Sequence, residues 1–346
     1  EIPAALAATA KDGKVVLAAH CENRVGGALV DLGLYAQALD AQMMGQTAKQ
    51  LSVDVQATRT IYNFACGEVD LQLTFTAPLL LEDPELVSRP VNYVSYDVKS
   101  NDGKVHSVEL YFEAGPNWSR NTPDQESVAT RYYTDKHLVV SNQCSTQKIL
   151  GRKGDDVRID WGQFYMAIAD TDANSYTMGN PLAMRQDFVS TGKLLNKSLG
   201  AWISIATKLG EVSDQIKSGY IMVGYDDYYS IRYFNKDLYP YWNRKGDKTF
   251  NDMLDLASAE YEDLMKRCQK FDNKLMAEAD KSGGKKYAEL CALAYRQSIA
   301  AHKLVETPQG ELAWLSKENF SNGSIGTVDV TYPSAPLFLY YNPEFA

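Results

Sequence analysis

Two periods of apolar and polar positions divide the chain. From about residue 50 to 235 the period is two. In VDLQLTFTA, Val69, Leu71, Leu73, Phe75 and Ala77 alternate with Asp70, Gln72, Thr74 and Thr76, the mark of a strand with one buried face. Asn92, Val94, Tyr96 and Val98 lead into Asn101-Asp102-Gly103, and Val108, Leu110 and Phe112 follow, which predicts a hairpin around a glycine turn. HLVVSN, VRIDWGQFYMAIA, GAWISIA and GYIMVGY add short strands separated by polar turns. Many antiparallel strands at short spacing predict a β-sandwich. Residues 1–50 are mixed in pattern and receive no element.

After residue 245 the period becomes helical. Phe250, Leu254, Ala257, Tyr261, Leu264, Cys268, Phe271 and Leu275 form one stripe, with Thr249 and Asp252 placed to cap its start. Gly283-Gly284 interrupts it. Tyr287, Leu290, Cys291, Ala294, Tyr295, Ser298, Ala301, His302 and Val305 form a second stripe, and Thr307-Pro308-Gln309-Gly310 ends it. The two stripes predict an antiparallel helix pair, with Pro333 in the first turn of a third helix, PSAPLFLYY. The expected organisation is a sandwich over 1–240, with 1–45 unassigned, and the start of a helical domain over 241–346. Two long helices and a short one bury little alone, so the helical domain is expected to continue past Ala346. Glu1 in place of Met leads us to expect upstream sequence or a removed signal peptide.

Composition narrows the function classes. The 346 residues are 45% hydrophobic and 23% charged with a net charge of −9, and there is no basic stripe to displace counterions from nucleic acid or an anionic membrane. No apolar run approaches membrane-spanning length. Cys21, Cys66, Cys144, Cys268 and Cys291 form no CxxC pair, so neither a metal site nor a disulfide framework is expected. No phosphate loop, dinucleotide fingerprint or Gly-x-Ser-x-Gly appears, no cofactor is expected, and His302 falls on the apolar side of its helix.

Two stretches carry candidate chemistry. The first, GYDDYYSIRYFNKDLYPYWNR from Gly224 to Arg244, is rich in tyrosine. It suits either an aromatic platform for a polar ligand, with Tyr225 and Trp242 as substrate contacts, or packing between domains, which is the commoner outcome. The adjacent Asp226 and Asp227 lack the further oxygen ligands that a cation site needs. The second stretch, SKENFSNGSIGTVDVTYPSAP from Ser316, is a long polar connection between helices, with Phe320, Ile325, Val328, Val330 and Tyr332 expected to anchor it. Glu318 and Asp329 are its two carboxylates able to meet across one loop and divide general acid and base roles. Lys317 would hold one of them ionised or stabilise an oxyanion, and Asn319, Asn322 and Tyr332 would contact substrate. The bland alternative is loop ordering, with Asp329 just ahead of a helix start.

SKENFSNGSIGTVDVTYPSAPLFLYYNPE, AELCALAYRQSIAAHKLV, GYDDYYSIRYF, YPYWNR and LTFTAPLLLEDPELVSRPVNYVSYDV resemble, in order, segments of glutaminase A-like proteins of fungi and Bacteroidetes. The resemblance covers roughly residues 45 to 346. It implies a supersandwich-like β domain followed by an (α/α)6 toroid of the glucoamylase type, of which this chain would hold the first hairpin and whose remainder would be its partner. It also implies hydrolysis of L-glutamine to L-glutamate and ammonia in a periplasmic or secreted setting. Two other functions fit the residues. One is a glycoside hydrolase using Glu318 and Asp329 on a saccharide, since a toroid alone does not set the substrate. The other is a non-catalytic binding module with a tyrosine-lined groove. Because most of a toroid's pocket would be missing, the chain by itself is expected to have little activity.

Overall fold

The computed structural model describes residues 46–346 other than 152–153, 157, 193, 195–199 and 319–321. In chain order, strands β1 (Lys49–Val55), β2 (Arg59–Cys66) and β3 (Val69–Thr76) lead to the short helix α1 (Pro84–Ser88). Strands β4 (Val91–Ser100), β5 (His106–Ala114), β6 (Ser127–Tyr133), β7 (His137–Cys144), β8 (Gln163–Ala169) and β9 (Asn174–Gly179) follow, then helix α2 (Pro181–Thr191), β10 (Trp202–Val212) and β11 (Lys217–Asp226). A small ribbon, β12 (Ile231–Tyr233) and β13 (Lys236–Leu238), precedes the helices α3 (Phe250–Gly283) and α4 (Lys285–Ala300). Strands β14 (His302–Glu306) and β15 (Leu312–Ser316) and helix α5 (Val328–Tyr341) complete the order.

Eight strands form one antiparallel sheet in the order β1-β2-β3-β4-β11-β8-β7-β6, and β5-β10-β9 form a second. The sheets pack face to face, with Val94, Val140, Phe164, Met166 and Ile221 of the large sheet against Ile203 and Ile205 of the small one. This is the expected sandwich. The opposite face of the large sheet is covered too. Val91, Tyr93, Val139, Tyr165, Ala167 and Met222 pack there on Phe250, Met253, Leu254, Ala257, Leu264 and Cys268 of α3. Burial on two faces explains why HLVV, FYMAIA and YIMV are nearly continuous apolar runs, whereas a sheet with one wet face alternates. Each large side chain buried there stabilises by about 1.5–3 kcal/mol relative to its exposed state.

The structure corrects several expectations. The segments on either side of Asn101-Asp102-Gly103 are not a hairpin, because β4 lies in the large sheet and β5 pairs with β10 in the small one. The two strands stack across the core, where Tyr96 and Val98 meet Leu110 and Phe112. Helix α3 forms as its stripe predicts, with reciprocal capping between Thr249 and Asp252. It runs 34 residues, about 50 Å at the usual rise. Helix α4 ends at Ala300, and its buried face is Ala288, Ala292, Tyr295 and Ile299. Leu290 and Tyr287, assigned to the buried stripe, are exposed. His302 and Val305 belong instead to a hairpin in which His302 pairs with Ser316 and Val305 with Ala313, and Thr307–Gly310 is its turn. Helix α5 begins at Val328, so Pro333 and Pro336 lie inside it and not in its first turn.

The sandwich and the helices are tied by a buried ion pair. Asp272 of α3, 0% exposed, accepts from Thr58 N (2.8 Å), Thr58 Oγ1 (2.9 Å) and Arg59 Nε (2.8 Å) at the start of β2. Tyr93 Oη donates to Ala257 O (2.8 Å) and Tyr295 Oη to Leu79 O (2.5 Å), so tyrosines on both sides add to the same joint.

Candidate functional site

Strand β11 ends at a strained turn. Tyr228 has φ 57°, a conformation costly for a bulky side chain. Trp161 Nε1 secures the turn by donating to Asp227 O (2.9 Å) and Tyr229 O (3.2 Å). Gly162 has φ +81°, and a Cβ there would strike the Asp226 carbonyl and the Tyr225 ring, so only glycine lets the two segments approach this closely.

The turn presents two carboxylates in different settings. Asp227 is 6% exposed; its Oδ2 lies 2.7 Å from Lys303 Nζ and accepts from Ser230 Oγ at 2.7 Å. Asp226 accepts from the Tyr228 backbone N–H at 3.0 Å. Burial, reinforced by the neighbouring Asp227 charge and opposed by the Tyr228 N–H and Lys303, pushes its carboxyl up to about 6. Lys317 enters from the end of the β14–β15 hairpin. Burial lowers its ammonium from the usual range, the Lys303 charge adds to the effect, and Asp227 opposes it. Two carboxyl groups and two ammonium groups thus meet where the large sheet and the hairpin join. Separated carboxyl environments of this kind suit general acid–base chemistry.

Beside this cluster is a cavity of about 590 Å³ between the large sheet, α4 and the β14–β15 hairpin. Tyr225, Asp227, Trp242, Arg296, Lys303 and Trp314 are among its lining residues. The volume is that of a small-molecule site. His302 also lines it, stacked on Trp314 with ring centroids 5.3 Å apart. Its Nδ1–H donates to Ser298 O at 2.6 Å, and burial lowers the imidazole below its usual range, so it sits neutral in an aromatic packet, as expected of a core histidine.

The sequence-predicted residues separate into two groups. Tyr225 and Trp242 line the cavity and Lys317 adjoins its acidic edge. Trp242 is 2% exposed and Tyr229 stacks on Tyr239 at 4.5 Å, so the tyrosine-rich segment mostly packs and offers a ligand a wall more than an open platform. Neither Glu318 nor Asp329 lines the cavity. Glu318 is half-buried and its backbone N–H donates to Ser324 O at 3.3 Å. Asp329 is exposed within the first turn of α5, not ahead of it. Asn322 is half-buried and accepts from Ser324 N at 2.8 Å. Tyr332 is 80% exposed. Asn319 and Phe320 lie outside the described residues.

The expected apolar anchoring of this loop is also corrected, because Ile325, Val328 and Tyr332 are exposed. Backbone and hydroxyl bonds order the segment instead. Lys317 N donates to Ala301 O (2.7 Å), Gly326 N to Ser316 O (2.9 Å), and the Ser316 and Thr331 hydroxyls meet at 2.7 Å. Lys303, Arg296, Thr76 and Trp314 went unnoticed in the sequence. Their only signal was position, at strand and helix ends that fold to one place.

A family described as a domain of unknown function (DUF5127) matches residues 58–278, and the glutaminase A six helical-hairpin domain matches residues 284–346. The chain is 26% identical over 314 residues to Glutaminase A of Aspergillus oryzae, covering 86% of this chain and 45% of that protein. It is 24% identical over 311 residues to a probable glutaminase of Arthroderma benhamiae, covering 82% of this chain and 35% of that one. The chain therefore spans less than half the length of these curated relatives. Among solved structures, one described as "Putative kojibiose phosphorylase from human microbiome" overlaps 70% of this chain and 27% of its own at a TM-score of 0.37 and 10% identity, too slight a likeness to bear on the chemistry.

Proposed function

The chain belongs to the glutaminase A-like family, and we propose that the protein carrying it hydrolyses the side-chain amide of L-glutamine to L-glutamate and ammonia outside the cytoplasm. The observation that carries this reading is the 26% identity to a glutaminase over 86% of the chain, running through both the sandwich and the helical hairpin. Amide hydrolysis needs a base to take a proton from the attacking water and an acid to give one to the departing nitrogen. The junction supplies groups suited to both tasks. Asp227 lies 2.7 Å from Lys303 Nζ, and Asp226, with its carboxyl near 6, carries a proton in an appreciable fraction of molecules near neutral pH. Lys317 brings a positive charge to the same place. Glu318, the residue after Lys317, and Asp329 form the second carboxylate pair in the proposal. The remainder of a six-hairpin domain would pack against the helical part.

The test is ammonia release from L-glutamine by the protein at its natural length, run beside a panel of aryl glycosides. Asp226→Asn, Asp227→Asn, Glu318→Gln and Asp329→Asn then identify which pair acts, with folding checked by circular dichroism. Loss of turnover in one pair and its retention in the other assigns the roles. Glycoside cleavage without ammonia release would replace the glutaminase reading with a glycosidase. Export is checked by fractionation of the producing cells, where recovery in the cytoplasm alone would refute it.

A further inference from the structure

One wall of the cavity carries hydrogen-bond donors without acceptors. Trp314 Nε1 is buried and has no hydrogen-bond partner among the described residues, and the same holds for Thr76 Oγ1 in a residue only 1% exposed. Arg296 uses Nε on Ala57 O (3.2 Å) and Nη1 on Thr60 Oγ1 (2.7 Å). Among the described residues its Nη2 makes no hydrogen bond. All three residues line the cavity. Arg296 is bonded to Ala57 and Thr60, Thr76 pairs with Arg59 across β2 and β3, and Trp314 packs on the cluster that contains Ala57. Native proteins seldom leave buried donors unmatched, so two such groups on one cavity wall call for an external acceptor.

The charge balance narrows what that acceptor is. Asp272 is the carboxylate nearest in influence to Arg296, but its hydrogen bonds come from Thr58 and Arg59. One carboxylate therefore serves two guanidinium groups, and the wall keeps an excess positive charge. Arg89, also in the lining, is paired with Glu260 at 2.7 Å, and Lys303 with Asp227. Burial disfavours the charged form of Arg296, a penalty that an anion would offset and a neutral hydroxyl would not.

We propose that this cavity holds a small ligand by a carboxylate group, with Arg296 Nη2, Trp314 Nε1 and Thr76 Oγ1 as donors to its oxygens. Two carboxylate oxygens offer about four acceptor positions, enough for all three donors. The inference rests on the proposed function to the extent that it names the group by which an amino-acid substrate or product is gripped.

The experiment is isothermal titration calorimetry of the full-length protein with L-glutamate, L-glutamine, glutaramide and maltose. The first two carry a carboxylate and the last two do not. L-Glutamate and L-glutamine are expected to bind at least about tenfold more tightly than glutaramide or maltose, a ratio set by a hydrogen bond to a charged group. Trp314→Phe and Thr76→Val, which keep the shape of the wall, are each expected to weaken L-glutamate by about fivefold or more, and Arg296→Gln to abolish its binding. If Arg296→Gln fails to fold, Trp314→Phe decides. Absence of L-glutamate binding to the folded protein, unchanged binding in Trp314→Phe and Thr76→Val, or a preference for maltose would overturn the inference. Glutamine turnover with unchanged binding in these variants would overturn this site and leave the glutaminase reading standing. Carboxylate binding without ammonia release would do the reverse.

Discussion

Asp272→Ala tests what joins the sandwich to the helices. The carboxylate is fully buried and accepts three hydrogen bonds, two from Thr58 and one from Arg59, whose side chain is 13% exposed. Alanine removes every acceptor at once and leaves a buried guanidinium and a buried backbone N–H facing a small void. Breaking a buried ion pair from one side costs about 3–5 kcal/mol, and we expect a loss in that range, since the void left by a carboxylate adds little. Asp272→Asn should cost less, about 1–3 kcal/mol, because the amide oxygen still accepts from Thr58 N and the Thr58 hydroxyl can turn to accept from the amide, leaving only Arg59 unmatched. Asp272→Leu combined with Arg59→Met removes both charges, and the double variant should recover most of the loss. Urea unfolding followed by far-ultraviolet circular dichroism and tryptophan fluorescence gives each difference. A loss below about 1 kcal/mol in the alanine variant, the size of an ordinary surface change, would refute the idea that this pair ties the two parts together.

Three further outcomes follow from the same structure. The Asp226 carboxyl, raised from 3.8 to about 6 in the folded chain, favours folding fully below its unfolded value and loses that contribution as pH rises through about 6. Asp226→Asn should therefore gain stability over the parent above pH 6, by up to about 3 kcal/mol at 1.36 kcal/mol per unit, and nothing near pH 4; an equal gain at both values would contradict the burial. Lys303→Ala should destabilise by about 2–4 kcal/mol by stranding Asp227, whereas Asp227→Asn should cost less, since Lys303 is 32% exposed and can reach water; chemical denaturation of the two variants checks the order. Gly224→Ala places a methyl group against Pro90 O and the Phe250 ring, and thermal unfolding should show a loss of about 1–3 kcal/mol from overpacking.

Much of this arrangement is legible in the sequence. Strands β7, β8 and β11 are legible as short apolar runs between polar turns, and α3 because its stripe and capping residues agree over its length. The β14–β15 hairpin was not legible. His302 and Val305 continue the helical spacing of α4 while also alternating as a strand, and pairing with Ala313 and Ser316 decides between the two. The junction was half visible. Asp226 and Asp227 stood out, but their counter-charges come from Lys303 and Lys317, which only the hairpin brings near. Glu318 and Asp329 drew notice through crowded polar neighbours, whereas Arg296, Thr76 and Trp314 are unremarkable in sequence and gain meaning from what their polar atoms lack.

The covering of the large sheet by α3 bears on the order in which the chain can fold as it is made. The sheet's outer face is complete by Asp226, yet the residues that close it, Phe250 to Cys268, emerge from the ribosome afterwards. Until they do, Tyr93, Val139, Tyr165 and Met222 present an apolar surface to the cell. A ribosome pausing between those points would hold a sticky half-built sheet, the kind of species that chaperones retain and that aggregates when they do not. Synthesis rate across residues 227–268, and not only final stability, should therefore govern the yield of soluble protein.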